Sequence, residues 1–431
     1  MTVAETPVNP RSRVLFASLV GTTIEFYDFY IYATAAVLVF PQLFFPSDDP
    51  MSGLLGSLAT FAIAFFARPF GAALFGHFGD RIGRKATLVA ALLTMGVSTV
   101  VIGFLPTFAQ VGLLAPLLLA LCRFGQGLGL GGEWGGAVLL ATENAPPGKR
   151  AWYGMFPQLG APLGFILSGG SFLLLQHFLS DEQFFSWGWR VPFLASAVLV
   201  IFGLYIRLQL EETPVFKATL DSQQQVRMPM LEVCRRHPGT LVLGTMAAVA
   251  TFLLFYLTTV FSLTWGTTEL EYSREQFLVI QLIAIVFFAL ATPLSALLAE
   301  RFGRRLTMIG VSIAIVLYGF AFEPLFGSGD TLRVMLFLVI GLFLMGLTYG
   351  PLGTLLSELF PTEVRYTGAS LTFNIAGILG ASLAPAVATT LASKHGLGSV
   401  GIYLGVVSMV TVVALLLLRE TRDEDLRHTP G

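Results

Sequence analysis

Long apolar runs alternate with short polar breaks along the whole chain. Twelve runs stand out, at 14–40, 53–76, 86–105, 112–141, 151–179 and 189–210, then at 239–266, 276–299, 306–325, 331–356, 366–392 and 396–418. A helix needs about 20 apolar residues to cross a bilayer, and each run is close to that length or longer. In hydrocarbon an isolated segment satisfies its own N–H and C=O groups only as a helix. A β-barrel would need short alternating segments, whereas these runs are continuous. The pattern predicts an all-α polytopic membrane protein with twelve transmembrane helices. The polar start, Met1 to Arg13, contains Pro7 and Pro10. The first apolar run is too long for a cleaved signal peptide and more runs follow it, so it is expected to stay as the first helix.

Two polar motifs occur twice. Gly76-His77-Phe78-Gly79-Asp80-Arg81-Ile82-Gly83-Arg84-Lys85, between runs two and three, returns in degraded form as Ala299-Glu300-Arg301-Phe302-Gly303-Arg304-Arg305, with an offset of 220 residues from Asp80 to Glu300. Glu143-x-x-Pro146-x-x-x-Arg150 returns as Glu358-x-x-Pro361-x-x-x-Arg365, with an offset of 215. Two motifs repeating at nearly one period indicate a duplicated chain. The longest polar stretch, Glu211 to Pro238, falls between runs six and seven. It reads as a cytoplasmic linker, 211–238, between an N-terminal six-helix bundle, 1–210, and a C-terminal bundle with a short cytoplasmic tail, 239–431.

Composition agrees with a lipid environment. Only 12% of the residues are charged, about half the share in a soluble domain. A net charge of −1 argues against a nucleic acid partner. Cys122 lies in an apolar run and Cys234 in a basic loop, which suggests neither a disulfide framework nor a zinc site. With the N-terminus in the cytoplasm, 19 of the 25 Lys and Arg residues fall on the cytoplasmic side. Arg190, Arg274, Arg333 and Lys394 fall opposite, and Arg68 and Arg123 lie inside spans. This bias sets both termini in the cytoplasm and the chain in the cell's inner membrane. Each half then crosses six times with the same topology, so the halves are parallel repeats about an axis along the membrane normal.

Ionisable side chains within a bilayer cost about 2.5–3.5 kcal/mol each on insertion scales, so those kept mid-span are candidates for function. Run one carries Glu25-Phe26-Tyr27-Asp28, with the two acids three apart, so that they share a helical face. Run four carries Arg123-Phe124-Gly125-Gln126 and, further on, Gly131-Gly132-Glu133-Trp134. Arg123 lies about 15 Å from Glu133 along the axis and matches Asp28 better in depth. Asp28 and Arg123 therefore read as a switchable pair. Low dielectric favours the neutral carboxyl and a nearby guanidinium the charged one. A substrate carboxylate that occupies Arg123 removes that attraction, and Asp28 then takes a proton more readily, which is the linkage a symporter needs. A permanent ion pair fixing two helices is the bland alternative. Glu25 and Glu133 divide evenly between function and a hydrogen bond to a neighbouring helix. Arg68, in Arg68-Pro69, lies about two turns before Gly76; snorkelling to the cytoplasmic face would give it a gating or structural role.

The spaced glycines of run four allow close helix approach, and its G-x-G pattern has neither the strand nor the Lys-Ser/Thr of a nucleotide loop. Polar candidates in other spans are Gln158, Tyr256, Gln281, Tyr349 and Asn374. Such residues are more often packed core than ligand contacts; Asn374 and Tyr349 are the first to test. Trp189-Arg190-Val191-Pro192-Phe193 reads as a structural helix start, and Glu323 as interfacial. His77, His177, His237, His395 and His428 sit near span ends and are assigned no proton relay.

Gly-x-x-x-Asp-Arg-x-Gly-Arg-Lys between spans two and three, and its echo between eight and nine, resemble the major facilitator superfamily over the whole chain. Glu-x-x-Asp-Phe in span one, Arg-Pro in span two and Arg-x-x-Gln-Gly-x-x-x-Gly-Gly-Glu-Trp-Gly-Gly in span four resemble its metabolite:proton symporter family, which includes shikimate, 2-oxoglutarate, citrate and proline/betaine transporters. The resemblance implies proton-driven uptake of a small anionic or zwitterionic metabolite, with Asp28 and Arg123 central. It also implies that the Asp80-Arg81 loop locks the outward-open state, which makes Arg68, Asp80, Arg81, Arg84, Glu143, Arg150, Glu300, Arg301, Glu358 and Arg365 gating candidates. Proton coupling is assigned to Asp28 and Glu25. Substrate contact is assigned to Arg123, Gln126, Glu133, Tyr27, Gln158, Tyr349 and Asn374.

The expected activity is alternating-access symport by a monomer without cofactor or metal, whose partners are the metabolite, the proton and the bilayer. An exporter with the same fold is the alternative. No metal-ligand pair, nucleophile–base set or phosphate loop points to an enzyme, and two gated repeats suit a carrier better than a channel.

Overall fold

A computed structural model describes residues 11–82, 84–146, 148–209, 229–361 and 364–422; the side chains of residues 76–86 lie outside that description. It contains twelve helices long and apolar enough to span a membrane. They are α1 (Ser12–Leu38), α2 (Pro50–Phe75), α3 (Thr87–Phe104), α4 (Leu114–Glu143), α5 (Arg150–Phe178), α6 (Gly188–Leu208), α7 (Pro238–Thr268), α8 (Arg274–Phe302), α9 (Arg304–Phe326), α10 (Thr331–Glu358), α11 (Arg365–His395) and α12 (Leu397–Leu417). Every boundary lies within three residues of the one read from the apolar runs. The charged motif after α2 is less of a loop than expected: the helix runs on to Ile82 and the next starts at Arg84. Most of the expected linker, residues 210–228, lies outside the described residues, and Pro229–Arg236 form a short helix before α7.

Successive spans run in opposite directions. One end of the bundle, here the linker end, therefore carries the start of α1, the α2–α3 motif and the α6–α7 connection. In the first six spans α1 packs on α5, α2 on α4, and α3 on α4 and α6; in the second six α8 packs on α10, and α12 on α7 and α9. The two sets meet along α5 against α8 and α2 against α11. Arg190 ties the far end of α6 to α3 by donating to the carbonyls of Gly103 (2.9 Å) and Leu105 (2.7 Å) while stacking on Trp189.

Small residues bring α2 and α4 together backbone to backbone. A Cβ on Gly131 would overlap the backbone carbonyl of Arg68, and one on Gly71 that of Leu128. That approach carries Arg68 inward rather than toward lipid. Gly131→Leu is accordingly expected to cost roughly 1–3 kcal/mol or more by overpacking, read as a lower thermal midpoint and a lower monodisperse yield in detergent. Gly170→Ala, where a Cβ meets nothing within 4 Å, should leave both unchanged.

Several helices depart from regular α geometry, three of them in mid-span. α4 breaks at Gly132-Glu133, between Leu114–Gly131 and Trp134–Glu143. α7 and α11 contain π-helical turns at Leu257–Phe261 and Ile378–Ser382. Such interruptions free backbone groups and are common at functional sites.

Candidate functional site

A narrow cavity lies between the two sets of helices. Its wall is mostly aromatic: Phe26 and Tyr30 from α1, Trp134 from α4, Phe252, Phe255 and Tyr256 from α7, Tyr349 from α10 and Phe373 from α11. Leu130, Met345 and Asn374 complete it, together with two ionisable side chains, Glu25 and Arg68. Helical periodicity explains part of the α1 contribution, since Phe26 and Tyr30, four apart, fall on one stripe, with Glu25 one position before it.

Arg68 is only 3% exposed. It does not snorkel to the linker end as expected. Its guanidinium carbon lies 4.7 Å from the ring centres of both Phe29 and Phe65. Among the described residues it makes no hydrogen bond or ion pair, and its Nε is buried without a partner. Glu25 shares the cavity, and its Oε1 is likewise buried without a hydrogen bond. A cation and a carboxyl, both short of partners, thus face the same aromatic space.

The expected direct pair between Asp28 and Arg123 is not formed. Asp28 is buried away from the cavity, beside the hydroxyls of Ser196 and Thr99. Neither of its carboxylate oxygens meets hydrogen-bond geometry among the described residues. Arg123 is fully buried on another side, 4.1 Å from the ring centres of Phe29 and Tyr32 and 5.0 Å from that of Phe61. Gln126 stands between them: its Oε1 accepts from Arg123 Nη1 at 2.9 Å, and its Nε2 donates to Thr99 Oγ1 at 2.8 Å and to the Asp28 carbonyl at 3.4 Å. The depth match was sound, but i,i+3 spacing leaves an offset of about 60° around the helix. That offset turns Glu25 to the cavity and Asp28 into the first bundle.

Three other residues expected at the substrate also point elsewhere. Glu133, at the break in α4, is ion-paired with Arg207 from α6. Tyr27 donates its hydroxyl to the Pro192 carbonyl at 2.8 Å. Gln126 is held as just described. Tyr349 and Asn374 do line the cavity. Gln158 lies behind it, accepting from Trp134 Nε1 at 3.0 Å and donating to the Tyr349 carbonyl at 2.9 Å.

Toward the linker end the cavity is closed by Trp134 stacked on Phe373, with ring centres 3.6 Å apart. Tyr366 donates to the carbonyl of Gly132, freed by the α4 break, at 2.7 Å. Below this lies a cross-half charge network. Arg150 Nη1 meets Glu358 Oε1 at 2.9 Å. Arg304 bridges Glu358 and Glu300, each at 3.3 Å. Glu300 Oε1 caps the start of α5 by accepting from the backbone N–H groups of Ala151 (2.6 Å) and Trp152 (3.2 Å), where the helix dipole favours an anion. Arg365 is buried and donates to the Phe360 carbonyl at 3.2 Å; Glu143 and Arg301 are exposed at their helix ends. The side chains of Asp80, Arg81 and Arg84 lie outside the described residues.

At the opposite end Tyr30 and Phe255, with ring centres 5.3 Å apart, close the cavity. Beyond them lies a second, smaller space beside Thr34, Thr259 and Gln281. The rim is pinned by Arg274–Asp181 (3.3 Å) and His177–Glu275 (3.0 Å), each joining a residue of the first six spans or their connections to one of α8.

Sequence reasoning missed Phe26, Tyr30, Trp134, Phe252, Phe255 and Phe373 as cavity wall. Phe, Trp and Tyr in an apolar run carry no contrast with core. Phe26, beside Glu25, and Trp134, beside Glu133, stood in stretches already singled out, but as neighbours of the charges.

The description "Major Facilitator Superfamily" matches residues 18–381. The chain is 59% identical over 426 residues to the inner membrane metabolite transport protein YhjE of Escherichia coli, covering 98% of this chain and 97% of that protein. It is 35% identical to the shikimate transporter of Escherichia coli, covering 95% of both chains. It is 31% identical to the proline/betaine transporter of Salmonella typhimurium, covering 96% of this chain and 85% of that one. The solved proton:xylose symporter XylE superposes with a TM-score of 0.76 at 16% identity, covering 97% of this chain and 98% of that one, a likeness of fold.

Proposed function

The chain belongs to the major facilitator superfamily, and we propose that it couples inward proton flow to the uptake of a small anionic or zwitterionic metabolite by alternating access. The linker end is then cytoplasmic, with both termini on that side, as the Lys and Arg bias supports. The observation that carries the reading is Arg68. A buried guanidinium that makes no ion pair among the described residues and opens onto a cavity is costly unless something pairs with it, and a substrate carboxylate fits its planar fork. Glu25 in the same cavity is the carboxyl placed to carry the proton. The aromatic wall suits the body of a small metabolite, or a quaternary ammonium held by cation–π attraction. The cavity, closed at both ends by aromatic pairs, is the occluded midpoint of the cycle.

Purified protein is first screened by thermal shift against shikimate, 2-oxoglutarate, citrate, proline and glycine betaine. The compound that stabilises it is then followed into proteoliposomes. An acidic exterior is expected to drive accumulation, and adding the compound outside to alkalinise the medium. Compound-driven proton exit would instead assign export, and flux indifferent to the proton gradient would overturn coupling.

A further inference from the structure

Arg207 was expected as a loop charge and is instead buried at the end of α6, reaching into the first bundle. Its Nη1 donates to the Leu88 carbonyl of α3 at 2.9 Å, and its Nη2 meets Glu133 Oε1. On the side facing α1 it rests against Gly21, one turn before Glu25; a Cβ there would come within 2.9 Å of Nη2. From this seat its charge acts on Glu25, as does that of Arg68 from the other side. The remaining titratable groups around Glu25 among the described residues are Asp28 and Tyr30 on α1 itself, Tyr256 from α7 and Tyr349 from α10. Asp28 and Arg123, joined through Gln126, form a carboxyl–guanidinium couple of their own in the first bundle; the set around Arg207 and the cavity then holds two carboxyls, Glu25 and Glu133, and two guanidiniums, Arg207 and Arg68.

We infer that Arg207 is a counter-ion shared by Glu133 and Glu25, and that Glu133, by occupying it, makes Glu25 depend on a proton once substrate takes Arg68. This rests on the transport reading above and deepens it. With the cavity empty the four charges balance. A substrate carboxylate on Arg68 leaves three anions to two cations. Arg207 is already engaged by Glu133, so a proton bound to Glu25 restores neutrality. Arg207 is a positioning residue here: it sets when Glu25 holds its proton and touches no substrate.

The test reads the titration of Glu25 directly, by its carboxylic-acid infrared band in liposome-reconstituted protein, assigned by its loss in Glu25→Gln. Glu133→Gln frees Arg207 to favour ionised Glu25, so the midpoint is expected to move to lower pH by about one unit, a tenfold change in proton affinity. Arg207→Gln removes a cation, so the midpoint should move to higher pH, and Arg207→Lys should restore it toward the wild-type value. Opposite shifts are the signature, because a merely structural pair would lower the thermal midpoint of both variants without moving the titration in opposite directions. If Arg207→Gln does not fold, the direction given by Glu133→Gln decides. A wild-type Glu25 that does not titrate sinks the proton site of the transport reading. A titrating Glu25 whose midpoint neither variant moves sinks the shared counter-ion alone.

Discussion

Arg68→Ala is expected to abolish substrate binding while the protein still folds. The side chain makes no hydrogen bond or ion pair among the described residues, so removing it breaks no direct polar contact. Its packing on Phe29 and Phe65 is lost, and that should cost only a modest fall in thermal midpoint. The effect on binding is larger. A hydrogen bond to a charged group is worth about 1.5–3 kcal/mol, and a guanidinium offers a carboxylate two in parallel. Losing both raises the dissociation constant by about 100-fold or more. Arg68→Lys keeps the charge but loses the fork and the flat face that stacks on the rings, and should fall between the two. Isothermal titration with the compound found in the screen gives the dissociation constants. Arg123→Lys supplies the contrast. Arg123 lies among Phe29, Tyr32 and Phe61 and bonds Gln126 outside the cavity, so its replacement is expected to lower stability more than affinity. Affinity retained in Arg68→Ala and lost in Arg123→Lys would return the substrate to the site first read from the sequence.

That reversal shows what the sequence carried and what it hid. The spans were legible because apolar length is a local property, and each boundary fell within three residues of the observed one. The duplicated Glu143/Arg150 and Glu358/Arg365 motifs were legible as gating candidates; in the structure Arg150 meets Glu358 across the halves, with Arg304 and Glu300 joining them. Mid-span charge drew attention to Glu25, Asp28, Arg123 and Glu133, all of them buried, but not to which of them share a space. Asp28 and Arg123 match in depth, yet facing is set by how α1, α3, α4 and α6 pack, and Gln126 ended up between them. Arg68 was misplaced for a related reason. Nearness to a span end suggested snorkelling, while the glycines that press α2 onto α4 turn it inward. Arg207 was counted among loop charges because it ends its apolar run, although it is buried on Glu133. The aromatic wall was hidden for a different reason, since a cavity-facing ring and a core ring look alike in a hydrophobic run.

The proton's seat gives the second large effect. Glu25→Gln keeps the shape of the side chain and removes its titration. In the wild type, one proton entering with each substrate lets a pH difference of one unit, about 1.4 kcal/mol, support roughly tenfold accumulation. In Glu25→Gln the accumulation ratio should fall to about one, because the carrier no longer distinguishes the two sides by their proton concentration. Exchange of labelled for unlabelled compound across the same vesicles should persist, because Arg68 and the aromatic wall are intact and the neutral amide crosses in the occluded state without any change of charge. The exchange rate should also become nearly independent of pH, whereas in the wild type it falls where Glu25 is left ionised on the outer side. Asp28→Asn separates the two acids of α1. Asp28 lies outside the cavity beside Ser196 and Thr99, so its neutral analogue should retain accumulation if Glu25 carries the proton. Accumulation lost in Asp28→Asn and kept in Glu25→Gln would move the proton into the first bundle, out of reach of the substrate, and coupling would then have to pass through Gln126 and Arg123 rather than across the cavity.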